Sequence, residues 1–323
     1  MNSYVTYIVK KLLIALFTVV VISIFSFAIV HMMPGDPVRT MLGTEVDNEA
    51  VEVMREELNL NKPFLVQYGI WVNNALHGDF GKSLVLGQQI TDILKIRVPI
   101  TLSLTVPAMI LSLVLGILIG VVCAVHRGSA ADQILTVLMT TMNGIPVFWI
   151  GILMMYLFGV RLGWLPLMGY TSPSEDFKQY VLKAIMPVII ISFGPLSSIA
   201  RQVRTNMLEV INQDYVRTHR ANGISESAVK YMYALKNSLI PVITLVALQI
   251  RSMVGGSLLA EQVFSIAGMG RLIMTSVMNK DYLTIQALTF VISLFVIICN
   301  FLLDIAYGIV DPRIRLAASK GGN

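Results

Sequence analysis

Residues 99–125 read PITLSLTVPAMILSLVLGILIGVVCAV, 27 positions without an Asp, Glu, Lys, Arg or His. About 20 apolar residues suffice for an α-helix to cross the hydrocarbon core of a bilayer. A helix on the surface of a soluble domain would need a polar face, and this run has none to offer. The same reading extends outward from it. Downstream, beyond the basic turn at His126 and Arg127, residues 134–160 form a second uncharged run. Residues 184–200 form a shorter one, interrupted by Pro187 and Pro195, that should extend past its uncharged part. Residues 238–260 hold one charge, Arg251, and residues 282–303 end at Asp304. Upstream, residues 12–30 are uncharged behind Lys10 and Lys11. That first run is read as an uncleaved span, because His31-Met32-Met33-Pro34 follows it where a signal peptide has small residues.

The expected fold is therefore an all-α polytopic membrane protein with six transmembrane helices. Composition agrees: 55% of the chain is hydrophobic and only 13% charged, about half the charge that a soluble domain carries. A soluble enzyme, a disordered chain and a single-pass anchored domain are excluded. Cys123 and Cys299 both fall in apolar runs and read as small buried residues.

Six spans put both termini on one side, and the positive-inside rule selects the cytoplasm. With both ends inside, the inner segments hold twelve Lys/Arg against five Asp/Glu, and the outer segments eleven against thirteen. The net charge of +5 thus reports topology, and nucleic-acid binding is not read from it.

Two connections are too long for simple turns. In the outer one, residues 32–98, Asp47 caps a predicted helix carrying Ala50, Val51, Met54 and Leu58 at helical spacing. A second helix is predicted after Pro63, with Leu65, Tyr68, Trp71 and Val72, and then a turn at Gly78-Asp79-Phe80-Gly81. This subdomain either caps the spans or touches substrate. The inner connection, residues 201–237, carries Arg217, His219 and Arg220, then Ala221 and Gly223, then Val229, Tyr233 and Leu235. Apolar residues spaced by three to four predict short amphipathic helices, a docking surface for a soluble partner.

With these motifs in place, the chain resembles the permease subunits of ABC importers in the dipeptide, oligopeptide and nickel class, specifically the first permease of the pair, the one with the longer outer loop. The resemblance rests on Met33-Pro34-Gly35-Asp36-Pro37, Leu58-Asn59-Leu60-Asn61-Lys62-Pro63, Gly78-Asp79-Phe80-Gly81-Lys82-Ser83 and Pro99-Ile100-Thr101-Leu102. It continues through Asp214-Tyr215-Val216-Arg217-Thr218, Ala221-Asn222-Gly223, Glu261-Gln262-Val263-Phe264, Gly268-Met269-Gly270-Arg271, Asp281-Tyr282 and Asp311-Pro312-Arg313-Ile314-Arg315.

The resemblance implies a type I ABC importer permease fold in a bacterial or archaeal cytoplasmic membrane. It implies residues 1–31 as N-terminal segment and first span, 32–98 as outer subdomain, 99–310 as core with a coupling loop at 201–237, and 311–323 as cytoplasmic tail. Counting back from Gly223 puts Arg217, Thr218 and His219 where the family's coupling loop has Glu-Ala-Ala, so that Arg217, Thr218, His219, Arg220, Ala221 and Gly223 are the implied contacts with the ATPase. Implied partners are a second, homologous permease in a heterodimer, two ATP-binding subunits, an external solute-binding protein and the lipid bilayer. ATP and Mg would be bound by the ATPase subunits, with no cofactor in this chain. Peptide cargo is implied, with nickel or metal chelates as the alternative.

Covalent chemistry finds no support in the residues. Gly81-Lys82-Ser83 has the end of a phosphate-binding loop, but Leu76 stands at its first glycine. His31, His77, His126 and His219 are scattered, and no metal site is predicted. A passive channel remains a second reading, one that leaves the patterned inner loop unexplained. Arg251, a lone charge deep in a span, faces either the translocation path or an ion-pair partner such as Asp304. Pro107, Pro146, Pro195 and Pro241 mark kinks or hinges, and Gly116 and Gly120 form a face for close helix packing.

Overall fold

A computed structural model describes residues 3–32, 38–39, 46–57, 59–83 and 85–310. The Met33–Pro37 motif, Leu58 and the tail expected at 311–323 lie outside the described residues, as does the side chain of Arg251.

The first helix, α1 (Ser3–Met32), covers the first apolar run. Two helices follow in the outer connection, α2 (Asn48–Glu57) and α3 (Phe64–Leu76). Asp47 and Pro63 stand immediately before them, as the spacing predicts. The turn closes with Gly78 at φ 80° and Gly81 at φ 84°, a backbone region that costs glycine nothing. The Asp79 carboxylate accepts the Gly81 amide at 2.9 Å.

The decisive run lies within α4 (Ile90–Val125), which begins nine residues before Pro99 and contains both Pro99 and Pro107. Ser129 caps α5 (Ala130–Gly144) by accepting the Asp132 amide. The run expected at 134–160 is one bent unit rather than a straight helix. Proline at 146 pushes Ile145 into extended geometry, φ −88° and ψ 132°, and the next helix, α6 (Val147–Arg161), leaves at 105° to α5. Its last part, Met155–Arg161, is π-helical.

Asp176 caps α7 (Phe177–Ile211), accepting the Gln179 amide at 3.0 Å. This helix runs through Pro187 and Pro195 and continues to Ile211, so the segment that starts at Arg201 opens as helix. Then come α8 (Asp214–Ala221), α9 (Glu226–Ser238), α10 (Ile240–Val263), α11 (Met269–Met278) and α12 (Tyr282–Val310). Among the described residues four of these helices are long and apolar enough to cross a membrane singly, and there are up to six crossings if the bent pairs α5 with α6 and α9 with the first part of α10 each count as one. Among the described residues the only β pairing is an isolated bridge between Lys82 and Gln89.

The core is the contact of α4 with α7. A methyl group on Gly120 would sit 2.6 Å from the Ala200 carbonyl oxygen and 2.7 Å from Val203, and one on Gly116 would sit 2.9 Å from Ile199. Both positions thus need glycine because backbones approach closely there. Around this seam, Leu104, Ala108, Met186, Ile190 and Phe264 form one buried cluster and Val121, Ile199, Val203, Met207 and Val242 another. Two of the serines left inside are satisfied across helices: Ser112 donates to the Ser192 carbonyl at 3.1 Å and Ser197 to that of Met139 at 2.6 Å.

The first helix packs chiefly on the last. Ser26 donates to the Gln286 carbonyl at 2.8 Å, Tyr7 to the Asp304 carbonyl at 3.0 Å, and Lys11 pairs with the Asp304 carboxylate at 2.8 Å. Its outer part also meets α3, where Phe27 packs against Phe64, Tyr68 and Trp71, while Leu13, Phe17 and Phe25 are exposed apolar side chains.

Candidate functional site

The implied ATPase contacts lie on a small helical hairpin built from α8 and α9. Its inner face packs on the end of α7: Val216, Val229 and Ala234 are buried together with Val210 of that helix, with Tyr215 and Ile224 packed around them. Gly223 makes the turn at φ +76°. Its amide donates to the Arg220 carbonyl at 3.0 Å, and the Ile224 amide to the His219 carbonyl at 3.2 Å, which closes the end of α8. Ser225 then caps α9, accepting the Ala228 amide.

Side chains pin the two helices together. The rings of His219 and Tyr233 stack with centroids 4.2 Å apart. Arg220 pairs with Glu226 at 2.6 Å, and Asn237 donates to the Tyr215 hydroxyl at 2.8 Å. The six residues therefore divide into two roles. His219, half-buried, and Arg220, exposed, are tied to α9 through Tyr233 and Glu226, while Arg217, Thr218, Ala221 and Gly223 are exposed and make no such tie across the hairpin. Arg217 has a loose partner in Asp214 at 3.6 Å. The hairpin is joined to the bundle through Asn206, whose amide donates to the Ser238 carbonyl at 3.0 Å.

Arg251 belongs to α10, and Asp304, considered as its ion-pair partner, has its carboxylate on Lys11. Nearby, α4, α10, α11 and α12 surround a cavity of about 610 Å³. Its lining is apolar with a few hydroxyls: Thr101, Thr105, Met109, Met253, Ile273 and Phe295.

Two carboxylates that the sequence shows only as members of motifs, Glu261 and Asp281, are buried. Glu261, fully buried near the end of α10, accepts the Thr101 hydroxyl at 2.6 Å and the Arg271 amide at 3.0 Å. Thr101 in turn accepts the Met269 amide at 2.9 Å. Asp281 accepts the hydroxyls of Ser83 at 2.6 Å and Thr284 at 2.8 Å and stands at the start of α12. The serine of Gly81-Lys82-Ser83 is thus a structural tie to Asp281. The family motifs around Glu261 and Asp281 were visible, but their partners lie 160 and 198 positions away, beyond the reach of local pattern.

Comparison with known proteins agrees with this architecture. Residues 116–316 match the family described as "Binding-protein-dependent transport system inner membrane component", and residues 4–105 match its N-terminal companion. A "Probable peptide ABC transporter permease protein" of Sinorhizobium fredii is 37% identical over 309 residues, covering 96% of this chain and 99% of the relative. The "Glutathione transport system permease protein" of Escherichia coli K12 is 35% identical, covering 96% and 98%. Among solved structures, the MetNI methionine ABC transporter in an inward facing conformation matches with a TM-score of 0.56 at 18% identity, over 68% of this chain and 96% of that one.

Proposed function

The chain belongs to the binding-protein-dependent transport system inner membrane components, and from that premise we propose that it forms half of the path by which an ATP-driven importer takes up peptides. It is a multi-pass protein of the bacterial cytoplasmic membrane. Membership brings with it ATPase subunits, a second permease and a solute-binding protein. The finer assembly proposed is one copy of this chain beside one homologous permease, two ATPases on the cytoplasmic side, and both termini in the cytoplasm. ATP and Mg are bound by the ATPases, and this chain performs no covalent chemistry.

The observation that carries the proposal is the hairpin of α8 and α9. A loop whose only task is to orient the chain needs no core, yet this one shares a buried cluster with the end of α7 and turns at a left-handed Gly223. Arg217, Thr218, Ala221 and Gly223 offer the contact edge, while His219 and Arg220 keep it rigid. In this reading ATP-driven closure of the ATPases shifts the hairpin, and α7, which leads into it, transmits the shift to the bundle. The cavity among α4, α10, α11 and α12 is this chain's share of the path, with Arg251 meeting an anionic group of the cargo. The outer subdomain at 32–98 covers the mouth.

Peptide cargo is favoured by the names of the two relatives, one a peptide and one a glutathione permease. The test is reconstitution of the complex with its genomic neighbours, following ATP hydrolysis and uptake of a peptide panel and of nickel chelates. ATP-coupled peptide uptake that requires the binding protein is expected. Uptake of nickel chelates alone would change the cargo, and ATP-independent flux through this chain alone would make it a channel.

A further inference from the structure

The N-terminus of α11 is an anion site, and its occupant is a side chain of this protein. Helix N-termini attract negative charge because their first amides lack partners within the helix. Here the Glu261 carboxylate fills that position, taking the Arg271 amide on one oxygen and the Thr101 hydroxyl on the other. Thr101, on α4, bridges by accepting the Met269 amide. The backbone is shaped to the carboxylate: a methyl group on Gly268 would lie 2.4 Å from a Glu261 oxygen, and one on Gly270 would lie 3.0 Å from the other and 2.4 Å from the Leu258 backbone. Arg97 reinforces the clasp, donating to the Ala267 carbonyl at 2.6 Å. Three helices therefore meet at one buried charge. Met269, Gly270 and Ile273 of the clasped helix also line the 610 Å³ cavity.

We infer that Glu261 is a positioning residue for transport: through Thr101 it fixes α11 to α4 and α10, so that the cavity wall moves with those helices when access switches. This rests on the importer reading. A carboxylate suits the task because it only accepts, and each of its oxygens takes a hydrogen bond here, from the Thr101 hydroxyl and the Arg271 amide. Glutamine has the same shape but keeps a single accepting oxygen, so that either the Thr101 hydroxyl or the Arg271 amide loses its acceptor. Such a substitution leaves buried groups unsatisfied and frees α11 from the adjoining helices. A loosened wall lets the path leak or open out of step with the ATPases.

The experiment uses the whole complex in proteoliposomes, with binding protein and a transported peptide. Glu261→Gln and Thr101→Val are expected to lower peptide moved per ATP about fivefold and to raise ATP hydrolysis without binding protein severalfold, while apparent KM for loaded binding protein stays within twofold. Thr101→Ser, which retains the hydroxyl, restores the wild-type ratio. A second readout needs no cargo: with Cys123 and Cys299 replaced by alanine and Ile273 by cysteine, Glu261→Gln is expected to raise the thiol-labelling rate at position 273 severalfold. Unchanged labelling together with an unchanged transport ratio overturns the inference, and so does reduced assembly with wild-type coupling in what assembles. A wild-type complex without ATP-coupled peptide uptake counts against the importer reading, and the labelling comparison then decides the clasp by itself.

Discussion

Asp132 and Arg204, 72 positions apart, meet as a fork: Nε of the guanidinium lies 2.8 Å from one carboxylate oxygen and its Nη2 2.9 Å from the other. The Gly128 amide donates to the same carboxylate at 3.0 Å. Asp132 is 4% exposed, so the pair joins the first turn of α5, and through Gly128 the turn before it, to α7, seven residues before that helix ends. Charge counting registers both residues only as members of the inner segments.

Replacing Asp132 with asparagine leaves the Arg204 charge half-buried opposite a neutral group. Removing one partner of a buried pair costs about 3 to 5 kcal/mol, and partial exposure of the arginine places the expected loss near about 3 kcal/mol. Arg204→Lys keeps the charge but not the fork, and should lose less. Thermal inactivation of the purified complex in detergent measures both; a melting midpoint for Asp132→Asn within a degree of wild type would contradict the structural role.

Gly120→Ala forces a methyl group against the Ala200 carbonyl and Val203. Overpacking of this kind costs about 1 to 3 kcal/mol, so the variant should insert in the membrane but melt earlier. Gly194, on the same helix as Ala200, has open space where its Cβ would be. Gly194→Ala should be neutral or slightly stabilising, since glycine inside a helix costs about 1 kcal/mol relative to alanine.

Gly223→Pro is incompatible with φ +76°, because proline is held near −65°, and it deletes the amide that closes α8. Transport and ATPase stimulation are expected to fall tenfold or more with normal amounts of protein in the membrane. Normal transport by this variant would count heavily against a coupling role for the hairpin. Gly223→Ala keeps the amide and should lose far less, the left-handed conformation costing alanine roughly 1 kcal/mol.

Arg251→Ala should leave assembly intact and change the range of peptides accepted, with acidic or free-carboxylate peptides losing most. Competition uptake with peptide acids and their amides reads this directly. Loss of the assembled complex would assign Arg251 a structural ion pair.

What the sequence made legible follows from how far each signal reaches. Uncharged runs, the Gly78 to Gly81 turn, the Gly116 and Gly120 face and the Gly223 turn are decided by neighbours within a few residues, and they stand in the structure as the pattern predicts. The early start of α4 was hidden because Asp92, Lys95 and Arg97 look like loop residues. Arg97 instead reaches the Ala267 carbonyl, and Lys95 pairs with Asp92 on the helix surface at 2.8 Å. The angle between α5 and α6 was equally illegible. Pro146 announces a break, but the 105° turn depends on packing that no local pattern records. Glu261 and Asp281 were legible as members of motifs and opaque in role, since their partners come from the far end of the chain.

The pairing of α1 with α12 bears on how the molecule is made. Lys11 and Asp304 are 293 positions apart, and at about 5 to 20 residues per second of synthesis the first helix emerges roughly 15 s to 1 min before its main partner exists. During that interval a helix with exposed Leu13, Phe17 and Phe25 is accommodated by lipid rather than by protein. Only when α12 arrives does the Lys11 charge find its carboxylate, so the ion pair records a contact that waits for nearly the whole of this sequence to be made.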